Sequence, residues 1–305
     1  GLDTIYFQGY RGVTYDIGAT LFEWANGTEG NDTLTTSAFD AVTMFGDAGD
    51  DTLVGGFGND VLVGWEGADA LAGRHGDDRL DGGIGEDVYF FNLGDGQDVI
   101  TDSAVRDSVG GGEGGGDGEG DGEGEGDSEG EGGEGGEGGS TGSVVENNRL
   151  VFGDGIMPDM PRLSFDPALS SSPNAIGSLL LTVGSNDTLA LSDFDPLNLY
   201  GPHAVETFQF NDGTSLSYAQ LLERGFDITG TNDDETIVGT ILSDRISGRD
   251  GQDILRSGQG DDVLNGGAGD DELWGGAGDD TLIGGTGHDT YLFNRGDGVD
   301  TIQDI

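Results

Sequence analysis

Residues Gly230–Leu292 read GTNDDETIV, GTILSDRIS, GRDGQDILR, SGQGDDVLN, GGAGDDELW, GGAGDDTLI, GGTGHDTYL when cut every nine residues. Position six is acidic in every unit: Glu235, Asp244, Asp253, Asp262, Asp271, Asp280 and Asp289. Position eight is apolar or aromatic: Ile237, Ile246, Leu255, Leu264, Leu273, Leu282 and Tyr291. The first six positions are glycine-rich and acidic, so they form a turn and not a core. Glycine lets backbone carbonyls converge on one point. Calcium takes six to eight oxygen ligands from carboxylates and carbonyls. One such turn supplies about half of that shell, and a turn stacked above it supplies the rest. The last three positions form a short strand whose middle side chain points inward. Two units then make one coil, and coils stack at about the 4.8 Å strand spacing. Turns on one side therefore come from every second unit, with calcium expected between them.

A single apolar side chain per unit does not offset the entropy of ordering nine backbones, and stacked bare carboxylates repel. The metal-free repeats are therefore expected to be largely unfolded, with calcium supplying the folding free energy. The nonapeptide G-G-x-G-x-D-x-U-x resembles the repeat of the RTX (repeats-in-toxin, haemolysin-type calcium-binding) family, which implies a parallel β-roll.

Working outward, the same unit begins at Gly27–Thr35 (GTEGNDTLT) and breaks at 36–45. It resumes as GDAGDDTLV, GGFGNDVLV, GWEGADALA, GRHGDDRLD and GGIGEDVYF, ending at Phe90. The position-six acids are Asp32, Asp51, Asp60, Asp69, Asp78 and Asp87. Trp65 and Arg74 stand where the second glycine belongs, which puts the turn geometry there in question. Both arrays close alike, with YFFNLGDGQDVITD at Tyr89–Asp102 and YLFNRGDGVDTIQD at Tyr291–Asp304. A roll end exposes strand edges and core, so terminal repeats are atypical caps. Tyr89, Phe90, Phe91, Tyr291 and Phe293 are expected to plug the core. Asp95, Asp98, Asp297 and Asp300 are expected to complete the last calcium shell. The three regular units of Gly266–Leu292 are expected to bind calcium most tightly. The units of Gly230–Ser247, which lack glycine at position four, should bind weakly.

Residues 110–142 hold eleven acids and no apolar side chain, a composition that buries nothing and self-repels. Residues 144–226 carry apolar runs, an Asn211-Asp212-Gly213 turn signal, and a short helix that Ser215 or Ser217 would cap and Gly225 would stop. The run NRLVFGDGI…LLLTVGSNDTLALSDF…VETFQFNDGTSLSYAQLL resembles the haemolysin-type calcium-binding related domain. The expected organisation is all-β. The end of a preceding block with lead-in strands occupies 1–26, and a first parallel β-roll with aromatic cap spans 27–102. A disordered acidic Gly-rich linker covers 103–143. A small strand-rich module with one short helix follows at 144–229, then a second capped β-roll at 230–305.

Composition narrows the function. The net charge is -49, from 60 acidic residues and 11 basic ones, all arginine. That balance argues against a nucleic acid or an anionic membrane as partner. Cysteine is absent, so no disulfide scaffold or thiol chemistry exists, and no apolar run reaches membrane-spanning length. His75, His203 and His288 are too scattered to ligate zinc. No phosphate-loop motif and no nucleophile elbow occurs. The expected function is that of a calcium-binding segment of a large secreted toxin, adhesin or surface protein, non-catalytic in itself and folding after export. The parent protein would meet any cell-surface receptor or glycan. The RTX resemblance also admits the calcium-dependent part of a secreted protease, lipase or polysaccharide epimerase, or a polysaccharide-binding module.

Overall fold

The computed structural model describes residues 4–7, 9, 11–17, 23–102, 146–166 and 176–303. The acidic run expected to be disordered lies outside the described residues. Strands are numbered in chain order. One sheet of the first roll stacks β1 (Thr4–Tyr6), β3 (Trp24–Thr28), β5 (Thr43–Ala48), β7 (Val61–Glu66), β9 (Arg79–Ile84) and β11 (Gln97–Thr101), all parallel. The facing sheet stacks β2 (Thr14–Asp16), β4 (Thr33–Thr35), β6 (Thr52–Val54), β8 (Ala70–Ala72) and β10 (Val88–Phe91), again parallel.

Position eight fills the space between the sheets, as the alternation requires. Ala25, Met44, Leu62, Leu80 and Ile100 line up from one side. Leu34, Leu53, Leu71 and Tyr89 line up from the other, and all nine are buried.

The break at 36–45 is itself a turn and strand of the solenoid. Thr36 N–H donates to Val54 O (2.9 Å) and Phe57 N–H to Ala38 O (2.8 Å). Val42 stands in the acid position and Met44 in the core position, so the coil keeps its shape and loses only its carboxylate.

The first roll does not end at its motif. β12 (Arg149–Phe152) pairs parallel with β10, and β16 (Thr207–Gln209) pairs parallel with β12. Across the core, β15 (Asp187–Phe194) pairs parallel with β11. Only then does pairing turn antiparallel, through β14 (Gly177–Val183) and β13 (Arg162–Ser164) on one sheet and β17 (Ser215–Ser217) on the other. The strand-rich module is thus built directly on the top coil. Tyr89 and Phe91 point inward there, but Phe90 points out (39% exposed), because the alternation sends every second residue to solvent. Phe90 therefore does not plug the core. Helix α1 (Tyr218–Leu222) starts at Ser217, whose hydroxyl accepts Gln220 N–H while Gln220 returns its side chain to Ser217 N–H.

The second roll stacks β18 (Asp227–Thr229), β20 (Arg245–Asp250), β22 (Val263–Ala268), β24 (Thr281–Thr286) and β26 (Thr301–Gln303) on one sheet. The other sheet holds β19 (Thr236–Val238), β21 (Ile254–Gln259), β23 (Glu272–Ala277) and β25 (Thr290–Tyr291). Phe226, just before β18, bridges to Leu163 and packs against Phe165 and Phe194. One continuous buried cluster runs from Ile17 to Leu282. Phe293 remains exposed (48%), so the second roll's cap does not use it as a plug.

Trp65 and Arg74 keep the turn geometry of the glycines they replace. Their φ angles are 80° and 70°, beside 95° at Gly83, and Arg249 adopts 83°. A side chain there carries the left-handed penalty that glycine avoids. Arg74 and Arg249 are solvent-exposed. Replacing either by glycine should therefore stabilise the calcium-loaded chain by about 0.5–1 kcal/mol, net of glycine's entropy in the unfolded state. Urea unfolding at saturating calcium measures it.

Candidate calcium centres

The turns stack in four columns, and one carboxylate oxygen per turn forms the rungs. In the first column Asp51 Oδ1 accepts Asp32 N–H (2.7 Å), Asp69 accepts Asp51 N–H (2.8 Å) and Asp87 accepts Asp69 N–H (2.8 Å). In the second, Asp60 accepts Val42 N–H (2.9 Å), Asp78 accepts Asp60 N–H (2.7 Å) and Asp98 accepts Asp78 N–H (3.0 Å). The third runs from Phe226 through Asp244, Asp262 and Asp280 to Asp300. The fourth runs from Glu235 through Asp253 and Asp271 to Asp289.

The second carboxylate oxygen divides these residues into two groups. Oδ2 of Asp51, Asp69, Asp78, Asp87, Asp98, Asp253, Asp262, Asp271, Asp280 and Asp289 is buried and accepts no hydrogen bond. The first acid of each column differs. Asp32 Oδ2 accepts Thr28 N–H, Asp60 Oδ2 accepts Gly56 N–H (2.7 Å), Asp244 Oδ2 accepts Thr240 N–H (2.6 Å) and Glu235 Oε2 accepts Thr231 N–H (2.7 Å). Those four oxygens are satisfied within their own turn.

The orphaned oxygens do not stand alone. A Cβ added at Gly46 would strike both Asp51 Oδ2 and the carbonyl oxygen of Gly64 in the next coil; at Gly64 it would strike Asp69 Oδ2 and Gly82 O. Carboxylate and carbonyl oxygens from adjacent turns thus converge where only glycine fits. Among the described residues, no three acidic or histidine side chains gather as a metal-binding group. Each centre draws instead on carboxylates and backbone oxygens. A donor set of oxygen alone suits a hard, flexible cation such as calcium.

Electrostatics agree. Burial, ahead of all other causes, raises Asp69 to about 6, Asp51, Asp78 and Asp262 to about 7, and Asp87 and Asp98 to about 8. Neighbouring carboxylates add to the rise. Buried anions in this state call for a proton or a cation.

Most of the acids singled out from sequence sit on rungs. Asp95 and Asp297 do not: each folds Oδ2 back onto the N–H of Asn92 or Asn294 and pins the cap turn. Two residues continue the first column without an aspartate. Asn148 Oδ1 accepts Asp87 N–H (2.8 Å), while its Nδ2 donates to Asp102 Oδ2 (2.6 Å). Glu206 follows one coil above, its N–H donating to Asn148 O (3.0 Å). The signal was present in Asn148-Arg149-Leu150 and Glu206-Thr207-Phe208, which keep the acid-x-apolar spacing with Asn or Glu for Asp.

The family model of the RTX calcium-binding nonapeptide repeat matches residues 17–40, 45–78, 66–98, 229–264 and 257–291. These repeats are RTX repeats. A second model, the haemolysin-type calcium binding protein related domain, matches residues 179–220, within the strand-rich module. RTX repeats bind calcium, and those of this chain form a parallel β-roll. No curated protein matches. Among solved structures, the extracellular lipase LipA from Serratia marcescens aligns over 84% of this chain and 33% of its own, at 16% identity. The TM-score of that alignment is 0.18.

Two outcomes follow from the oxygens. Asp271→Ala removes a buried oxygen that has no hydrogen-bond partner, whereas Asp244→Ala removes one already bonded to Thr240. The first should raise the calcium midpoint of folding several-fold more than the second, by circular dichroism titration. The pH response without metal has the opposite sign to that of ordinary surface carboxylates. Folded-state values of about 6 to 8 lie above the ordinary 3.8, so the metal-free fold binds more protons than the unfolded chain. Its stability is therefore greatest below 3.8 and is lost as pH rises through about 6 to 8. Chelated protein should gain β structure as pH falls from 8 to 4, and calcium-loaded protein should release calcium over the same range.

Proposed function

We propose that this chain is the calcium-dependent folding segment of a large secreted bacterial protein, a toxin, adhesin or surface protein, with no catalysis of its own. The ten orphaned Oδ2 atoms carry the reading. They are held in place by the fold, yet the protein offers them no partner. Calcium bound between adjacent turns by Asp51, Asp69, Asp78, Asp87, Asp98, Asp253, Asp262, Asp271, Asp280 and Asp289 would neutralise them and join coil to coil. Calcium supplies the charge and the flexible oxygen coordination there. Aspartates Oδ1 hold the rungs, and the first glycines keep the space open. Asp32, Asp60 and Asp244 take the outer, weaker places, and Asp95, Asp297 and Asp300 shape the closing turns.

The cell then supplies the switch. At the low calcium of a bacterial cytosol the carboxylates repel and the rolls stay open, a form suited to export as a chain. Type I secretion is typical of the family. At millimolar calcium outside the cell the coils close. No helix among the described residues is long and apolar enough to cross a membrane. Contact with a receptor or glycan is assigned to the parent protein.

The chelated chain should give a largely coil circular dichroism spectrum, and millimolar calcium should convert it to β. Magnesium should fail, because it demands tight octahedral geometry and dehydrates reluctantly. A spectrum identical in chelator and calcium at neutral pH would overturn the reading.

A further inference from the structure

Each array ends in a unit whose position eight is tyrosine, Tyr89 or Tyr291, where the preceding units of that array carry leucine or isoleucine. The side chain starts from the core position. Unlike leucine, it is long enough to reach the turn. Its hydroxyl arrives at the first glycine of its own unit. Gly82 N–H donates to Tyr89 Oη (2.9 Å), and a Cβ on Gly82 would strike both Asp87 Oδ2 and that hydroxyl. The second array repeats the placement: a Cβ on Gly284 would strike Asp289 Oδ2 and the Tyr291 hydroxyl.

Earlier units show what the hydroxyl replaces. There the first glycine donates its N–H to the backbone of the next coil: Gly55 to Ala72 O (2.8 Å), Gly230 to Ser247 O (2.8 Å) and Gly239 to Arg256 O (2.7 Å). There, too, the atom that crowds the glycine beside the aspartate Oδ2 is the next coil's glycine carbonyl: Gly64 O above Gly46, Gly82 O above Gly64 and Gly284 O above Gly266. At Gly82 the coil above departs from the motif. Strand register sets Asp81 opposite Thr101, so Asp102, not a glycine, follows overhead.

We propose that the position-eight tyrosine of the last unit terminates the calcium column. From inside the core, its hydroxyl takes the place of the next coil's backbone oxygens. In both arrays it stands as a neutral oxygen beside the last carboxylate of the column, and in the first array it also accepts the first glycine's N–H. The inference rests on calcium occupying the orphaned carboxylates. Tyr89 and Tyr291 are positioning residues for the last centre of their columns. Gly82 and Gly284 are both buried, so without the hydroxyl the Gly82 N–H would lose its acceptor in a place water does not reach.

The test uses the full chain with Tyr89→Phe and Tyr291→Phe, made separately. Phenylalanine keeps the ring and its packing and deletes only the hydroxyl. In Tyr89→Phe the Gly82 N–H loses its acceptor, which costs about 1–3 kcal/mol, a fall of roughly 5- to 150-fold in the folding equilibrium at saturating calcium. Urea unfolding reads that loss, and calorimetric titration should show weakening of one ion per variant with the other ions unchanged. Tyr291→Leu should behave as Tyr291→Phe, since the ring is not the active part. Second-derivative absorbance of the wild type should show the phenol band moving as calcium binds, and each Phe variant should lose its share. If Tyr89→Phe does not fold even in calcium, Tyr291→Phe at the half-exposed end of the second roll decides alone. Wild-type ion affinity in Tyr291→Phe would overturn the proposal. If the chain as a whole fails to fold on calcium, it is the calcium reading itself that fails, and that outcome is seen in the wild type before any variant is made.

Discussion

A buried carboxylate oxygen with no protein partner is the constraint around which the rolls are arranged. Ten aspartates spend Oδ1 on the backbone of the coil below and leave Oδ2 buried without a hydrogen-bond partner. An aspartate is short enough to do both from one turn. Glutamate occupies position six only at Glu235, where the longer side chain curls back onto Thr231. At Gly46, Gly64 and Gly266 the first glycine is required because Oδ2 and the next coil's carbonyl already fill the place of a Cβ, whereas Ser257 stands in the same place with its hydroxyl donating to Gly275 O. The eighteen-residue coil, the acid and the glycine are therefore one requirement seen from three positions. Apolar burial alone is thin in such a stack, with one inward side chain per unit. On the proposed reading, a cation bound between turns holds such coils together at neutral pH.

The strand-rich module solves the same stacking problem by other means. As the motif fades above Asp87, the rung passes to Asn148, whose amide meets Asp102 with a donor where a calcium-facing oxygen would otherwise be. Aromatic side chains enter the core stack at the same point, with Tyr89 and Phe208 in line with Leu71 and Leu150. Beyond them Leu179, Leu181, Val183, Leu189, Leu191 and Phe194 are all buried, so these strands hide several apolar residues each. Burial of that kind supplies stability without metal. Phe226, set among Phe165 and Phe194, then hands the core back to a calcium-type roll. Hydrophobic burial supports the centre of the chain, and the oxygen columns support its flanks.

This division also explains what the sequence disclosed. Leu255, Leu264, Leu273 and their aspartates were legible because every unit uses them for the same task, and repetition exposes the period. The segment 36–45 was read as an interruption because Val42 holds the rung with its backbone alone, leaving no acid to recognise. Asn148 and Glu206 escaped notice for a related reason: a rung needs only an acceptor or an N–H of the right register, which many residue types provide. Phe90 and Phe293 were misjudged because aromatic content signals a core, whereas strand alternation decides which aromatic enters it. The docking of the module onto the first roll, through β10 with β12 and β11 with β15, joins residues separated by 61 and 91 positions and leaves no local pattern.

The departures from the motif are most informative at the ends of the columns. In three of the four columns the first turn carries threonine at position two: Thr28, Thr231 and Thr240. A β-branched residue disfavours the left-handed conformation that glycine takes there in later units. Its N–H is turned instead toward the carboxylate of its own turn, and that acid is satisfied before any cation arrives. The second column has Gly56 in that place, and the same bond forms to Asp60, so the position in the stack matters as well as the residue. A first turn has no preceding acidic turn to share a cation with. Closing its carboxylate by hydrogen bonds spares it a half-built site. Solenoids of apolar repeats protect their ends by covering exposed core. A column of oxygen sites has a different exposed quantity, unneutralised charge, and its first turn is shaped accordingly.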